Sequence, residues 1–265
     1  MGNEATTYSI IIPAYNESLN IRETVTRVAE RLRAETIPFE VVVVNDHSTD
    51  DTPLAVEEIR RQFPEVRLVD NTSPGGLGRA IRCGLANYTG DIVAIVMADL
   101  SDSPEDIVRC YRKIEEGYDC VFGSRFMRGS KVSQYPPIKL VVNRIGNYVI
   151  RLLFLTRYND LTNAFKVYRR HVIDSISPLH ASHFNITIEM SLSALIRRYR
   201  IAMIPISWSG RTAGVSNLKL RAMGRRYVAT MLKIWFERLL IIDDVLQESE
   251  SRRELNENAS ESERK

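Results

Sequence analysis

IVAIVMADLSD, residues 92 to 102, carries seven apolar residues into an acid at Asp99 and a second acid at Asp102. A short, β-branched run bounded by polar residues reads as a buried strand. Upstream, the same reading covers YSIIIPAYN (8 to 16), stopped at Pro13, FEVVVVND (39 to 46) and VRLVDN (66 to 71). IRETVTRVAERLRAE (21 to 35), TPLAVEEIRRQF (52 to 63) and GLGRAIRCGLANY (76 to 88) separate these strands and space their apolar residues as helices do. The alternation predicts an α/β fold, a mostly parallel sheet with helices on both faces.

Sheets of this kind bind ligands beyond the carboxyl ends of their strands. Those ends carry Tyr15, Asn16 and Glu17 after the first strand, Asn45 and Asp46 after the second, and Asp99 and Ser101 after the fourth. One such end reads as ordinary turn or cap chemistry. Three ends offering acids to one crevice read as a site.

The second half is less regular. YDCVFGSRF (118 to 126) reads as a strand ending near Arg125, and IKLVVNRIGNYVIRLLF (138 to 154) as a helix. On that helix Ile138, Val142, Ile145, Val149 and Leu152 share a stripe, while Lys139, Asn143, Asn147 and Arg151 recur on another face. After DLTNAFKVYRR (160 to 170), a helix over 187 to 199 leads to a strand over 201 to 208. LKLRAMGRRYVATMLKIWFERLL (218 to 240) is basic and rich in bulky apolar residues. These features divide the chain into a main domain over 1–212, a basic amphipathic helix within 213–245 and a polar tail, 246–265, expected to be disordered.

Composition narrows the function classes. With 36 Lys and Arg against 33 Asp and Glu, the net charge of +3 gives no sign of a nucleic-acid partner, and the basic residues sit on hydrophobic helices without a nucleic-acid motif. Three cysteines without CxxC spacing predict reduced thiols in a cytoplasmic protein. The polar start MGNEATTYS predicts no secretory signal, and no uncharged apolar run is long enough to span a bilayer. GGLG (75 to 78) lacks the context of a dinucleotide loop, and His180 and His183 have no third ligand nearby, so no zinc is expected. Ser103, Pro104 and Asp106 read as a helix start with a capping box, a reading that fits Asp102 less well.

IIPAYNE, VVVVNDHSTDDT, GLGRAIRCGLANYTGD, MADLSDSPED, FGSRF and GRTAGVSNLK, in this order, resemble the family 2 inverting glycosyltransferases, and within them the dolichol-phosphate or polyprenol-phosphate mannosyltransferase group. The resemblance covers residues 8 to 220 and implies a GT-A fold, which is Rossmann-like. It places Pro13, Tyr15 and Glu17 against a nucleotide, Val44 and Asp46 at the base, and Ala98 and Asp99 at the nucleotide-sugar. Asn45 replaces an acid common at its position. Asp99 and Ser101 match metal-ligand positions for Mg²⁺ or Mn²⁺, and Arg125 lies near the donor diphosphate as a catalytic residue beside Asp99. Arg211 and Ser216 match a late loop over the phosphates, in which Asn217 stands where Lys is usual and Lys219 is the nearest replacement. Met97 stands where the first acid of the metal motif is expected, and a thioether is a poor ligand for a hard cation.

The resemblance implies transfer of a hexose, mannose from GDP-mannose, to a polyprenyl phosphate at the cytoplasmic membrane face. The rivals are a UDP-sugar donor or a growing-glycan acceptor, and a non-catalytic nucleotide-sugar-binding protein. One acid is sufficient for Mg²⁺, which keeps waters and substrate oxygens in its shell. Lys139 and Arg144, with Arg151 behind them, are the candidate holders of the acceptor phosphate. The segments 138 to 154 and 218 to 240 are expected to lie on the bilayer, with a second copy of the chain as the competing partner.

Overall fold

The structure is a computed structural model and describes residues 6–210 and 220–240, together with 243, 244, 247 and 251. β1 (Tyr8–Ala14), β2 (Phe39–Asn45), β3 (Val66–Asp70) and β4 (Ile92–Ile95) are the parallel strands expected. They alternate with α1 (Ile21–Ala34), α2 (Thr52–Arg60) and α3 (Leu77–Asn87). The chain continues through α4 (Pro104–Glu115), β5 (Cys120–Ser124), β6 (Lys131–Ser133), α5 (Pro137–Phe154), β7 (Lys166–Arg169), α6 (Arg170–Ile176), α7 (Ile186–Ile196), β8 (Ile201–Pro205), β9 (Ser207–Ser209) and α8 (Leu220–Leu240). The central sheet has the order β3-β2-β1-β4-β7-β5-β8, and β6 pairs with β9 in a small second sheet.

Every residue of β1 is buried because both faces of the sheet are covered. Successive side chains point to opposite faces. Ile10 and Ile12 therefore join one core with Val25 of α1 and Ile107 of α4, while Ile11 joins the other with Ile81 of α3 and Ile188 of α7. This is why the strands read as unbroken apolar runs rather than as alternating ones.

Several expectations need correction. Pro13 lies inside β1, opposite Val44, and the β1–β4 ladder ends earlier, at Ile11 and Ile95. β4 stops at Ile95, and after the Val96 N–H bond to the Ile11 carbonyl (3.0 Å) residues 97 to 99 leave the sheet instead of extending the strand to Asp99. β7 is an antiparallel strand inside DLTNAFKVYRR, inserted between β4 and β5. Two of its four residues are basic, which hid it from an apolar-run reading.

α5 leaves most of its apolar stripe uncovered. Asn147, Ile150 and Phe154 are buried, while Ile138, Val141, Val142, Ile145, Tyr148, Val149 and Leu152 are exposed. α8 is apolar on two sides rather than amphipathic. Ile234 and Thr230 are buried against the domain, and Val228, Leu232, Phe236 and Leu239 face outward. Arg238 of α8 donates to the carbonyl of Phe154, at the end of α5, which places the two helices side by side. Among the described residues no helix is long and apolar enough to cross a membrane. Arg211, Ser216, Asn217, Lys219 and nearly all of the 246–265 tail lie outside the described residues.

Candidate functional site

Three strand ends share one backbone feature. Asn16 after β1, His47 after β2 and Leu100 after β4 have φ of 54°, 63° and 62°. None is glycine, and such conformations cost on the order of 1–3 kcal/mol unless the surroundings enforce them. The first two are held by reciprocal contacts between their loops. Asn16 N–H donates to Ser48 Oγ (3.1 Å) and Asn16 Oδ1 accepts from Thr49 N–H (2.8 Å). Glu17 N–H donates to Thr52 Oγ1 (2.9 Å), and Asn45 Oδ1 accepts from Ser48 N–H (3.0 Å).

These locks set the acids. Glu17 is buried and accepts from Asn20 Nδ2 (2.8 Å), while Tyr15 beside it is exposed. Asp46 is buried, with Asn71 Nδ2 donating to Oδ1 (2.7 Å) and Gly76 N–H to Oδ2 (2.8 Å). Gly76 has φ 146°, and a Cβ there would sit 2.5 Å from the Ser182 carbonyl, so the GGLG turn serves to bring that N–H to Asp46. Asn45 donates to Asp70 Oδ1 (2.8 Å), an interaction between strand ends in place of the usual acid. Val44 is fully buried and stands opposite Pro13 across the β1–β2 ladder, and Ala98 O accepts from Thr24 Oγ1 (2.9 Å).

At the β4 end the chain folds back on itself. Ser101 N–H donates to Asp99 Oδ1 (3.3 Å), and Met97 N–H donates to Asp102 Oδ2 (3.0 Å). Ser101 O accepts from Ser209 N–H (3.2 Å), and Asp102 pairs across an isolated bridge with Trp208, so β9 pins the turn. Met97, Asp99 and Asp102 are all half-buried. Burial, reinforced by the neighbouring Asp99 charge, pushes the Asp102 carboxyl up to about 7 against the opposing pull of the Met97 N–H. The side chains of Asp99, Ser101 and Asp102 carry only oxygen donors, the hard ligand type that suits Mg²⁺ or Mn²⁺. Among the described residues no group of three or more His, Cys, Asp or Glu is arranged to hold a metal ion, so such an ion would complete its shell with substrate oxygens and water.

Arg125, expected near the donor diphosphate, is paired with a carboxylate inside the protein. Its Nε and Nη2 donate to Asp160 (2.8 and 2.7 Å), its backbone N–H donates to the same carboxylate (2.9 Å), and Nη1 donates to the Tyr135 hydroxyl (3.2 Å). The Phe126, Tyr135 and Trp208 rings surround the guanidinium. Burial opposes its charge, but the Asp160 carboxylate outweighs it and holds the pKa above the ordinary arginine value. Much of the Arg125 charge is thus already met inside the protein.

The polar face of α5 supports this pair. Asn147 accepts from Leu161 N–H (2.7 Å) and donates to Thr162 Oγ1 (2.8 Å), clamping the loop that carries Asp160. Lys166 closes the loop from below by donating to the carbonyls of Leu161 and Asn163, and burial lowers its pKa to about 7. Exposed Arg144 lies over the Phe126 ring (5.1 Å), and Lys139 lies more than one turn earlier on α5. Asp106 is buried but caps nothing. It holds Arg109 (2.6 Å) and Ser207 N–H (2.6 Å), while Ser103 Oγ bonds Glu105. Asn71, Asp160, Asn147 and Lys166 were missed by sequence reasoning, and the only signal for them was the density of polar residues in otherwise apolar surroundings.

The sequence model of the family described as Glycosyl transferase family 2 matches residues 9–177. A dolichol-phosphate mannosyltransferase of Pyrococcus furiosus is 28% identical over 214 residues, which cover 80% of this chain and 59% of that protein. The chain therefore spans less than two thirds of the length of that relative. The polyprenol monophosphomannose synthase of Mycolicibacterium smegmatis is 29% identical over 215 residues, covering 79% of this chain and 80% of that protein. Among solved structures, glucosyl-3-phosphoglycerate synthase from Mycobacterium tuberculosis with uridine diphosphate is similar with a TM-score of 0.66 at 23% identity, over 87% of this chain and 80% of that one. The same enzyme with Mn²⁺, uridine diphosphate and phosphoglyceric acid gives 0.66 at 22% identity, over 87% and 78%.

Proposed function

The chain belongs to glycosyl transferase family 2, has the GT-A fold and is a glycosyltransferase, and from that premise we propose that it moves mannose from GDP-mannose onto a polyprenyl phosphate while seated peripherally on the cytoplasmic face of a membrane. The names of the two curated relatives support the acceptor class. The observation that carries it in this chain is the uncovered apolar stripe of α5, with Ile138, Ile145 and Leu152 exposed at 73%, 60% and 66%. Exposed apolar residues on α5, with more on the neighbouring α8, suit an interaction surface. Its flanks carry Lys139, Arg144 and Arg151, the cationic rim that suits a phosphate-bearing lipid surface.

The chemistry follows from the residues. Tyr15, Glu17 and the preset Asp46 form the wall that receives the nucleoside. Asp99 and Ser101 would hold Mg²⁺ or Mn²⁺, which when bound neutralises charge growing on the leaving diphosphate. The acceptor phosphate oxygen forms the new bond at the anomeric carbon as the bond to the diphosphate breaks on the opposite side, which inverts the configuration. A phosphate monoester with a second pKa of about 6 is already largely ionised at neutral pH, so no carboxylate base is needed. Arg144 and Lys139 orient that phosphate at the membrane side, and Arg125 fixes the wall between them and the β4 end.

Incubating the purified protein with labelled GDP-mannose, UDP-glucose and UDP-N-acetylglucosamine plus polyprenyl phosphate in vesicles tests this. Labelled lipid from GDP-mannose is the expected result. Label transferred from a UDP-sugar would replace the donor, and no lipid-linked sugar from any donor would overturn the reading.

A further inference from the structure

We propose that Asp102 supplies the second carboxylate of the divalent-cation site, replacing the acid that position 97 lacks. The inference rests on the reading that the nucleotide binds with a divalent cation, and it concerns which residues of this chain hold that ion. Met97 cannot serve as a ligand for a hard cation, so Asp99 would be left as a single carboxylate. The turn through Leu100, with φ of 62°, returns the chain so that Asp102 Oδ2 lies 3.0 Å from the backbone nitrogen of Met97. An acid from three residues beyond Asp99 thereby stands beside the backbone from which the missing side chain would have grown.

The carboxylate is used on one side only. Oδ2 accepts the Met97 N–H, and Oδ1 takes no hydrogen bond among the described residues. The helix start does not need Asp102, because Ser103 occupies the N-cap of α4 and Asp106 is engaged with Arg109 and Ser207. Asp102 is also fixed from behind through its bridge to Trp208. A neutral Asn would fasten the loop equally well, whereas a carboxyl beside Asp99 can give up its proton to a cation shared between them.

The test is the coupling between Mn²⁺ and nucleotide, measured with fluorescent N-methylanthraniloyl derivatives of GDP and of UDP, each titrated with Mn²⁺ or with EDTA. The wild type should bind one of them more tightly with Mn²⁺. D102N should lose that enhancement by at least about tenfold, a scale set even by outer-shell partners of metal ligands, while its affinity in EDTA stays at the wild-type value. M97D in the D102N background should restore the enhancement, because it returns a carboxylate to the same ion. Three results would overturn the proposal: an unchanged Mn²⁺ effect in D102N, a loss that M97D does not rescue, or no Mn²⁺ effect in the wild type with either nucleotide. No sugar or lipid takes part, so a failed transfer assay with intact Mn²⁺ coupling would count against the proposed acceptor or donor and leave Asp102 in place.

Discussion

Removing the Asp160 carboxylate would leave the Arg125 guanidinium, whose side chain is 8% exposed, buried without its counter-charge. D160A should therefore lower stability by about 3–5 kcal/mol in denaturant unfolding, the range for breaking one side of a buried ion pair. Asp46 lies at the opposite end of the site and carries a different expectation. D46A frees Asn71 and Gly76 N–H and removes the carboxylate proposed to receive the nucleoside, so nucleotide affinity in a fluorescence titration should fall by about tenfold or more, equivalent to at least 1.4 kcal/mol. Asp46 and Asp99 were legible because a strand end followed by an acid is a local pattern. Asn71 and Asp160 were not, because each acquires its role from a partner more than twenty residues away, 25 for Asn71 and 35 for Asp160.

At the level of the element, α5 separates pattern from orientation. Its periodicity was plain, but periodicity does not say which face meets the domain. The Asn147 side turned inward together with Ile150 and Phe154, because Asn147 satisfies the buried loop groups Leu161 N–H and Thr162 Oγ1, which no apolar side chain could do. I145E/V149E places charges on a face that is already exposed. It should leave thermal unfolding near the wild type, as surface changes stay within about 0.5 kcal/mol, while abolishing sedimentation with anionic vesicles. β7 offers a pH test through Lys166. Its folded pKa of about 7 lies below the ordinary lysine value, so between these two the unfolded state binds more protons and stability should rise with pH. Equilibrium unfolding from pH 7 to 10 should show that rise, and K166M should flatten it.

For the whole molecule, the parallel sheet brings the carboxyl ends of β1, β2 and β4 to one edge, where the proposed nucleotide would meet the loops that carry Glu17, Asp46 and Asp99. Binding to the folded state alone stabilises by about 2.7 kcal/mol at a hundredfold excess over Kd. A nucleoside diphosphate with Mn²⁺ at that excess should therefore raise Tm by several degrees in calorimetry, and EDTA should reverse most of the gain. By itself the sequence determined the α/β class, the parallel first half and the acids at its strand ends, because these follow from the spacing of near neighbours along the chain. Only the tertiary structure decided that an antiparallel β7 completes the sheet, that α5 shows its apolar face outward, that Arg125 is matched by Asp160, and that Asp102 returns to Met97. Each of these depends on which distant group ends up buried beside which, and burial of charge and of hydrogen-bonding groups is settled only when the chain is packed.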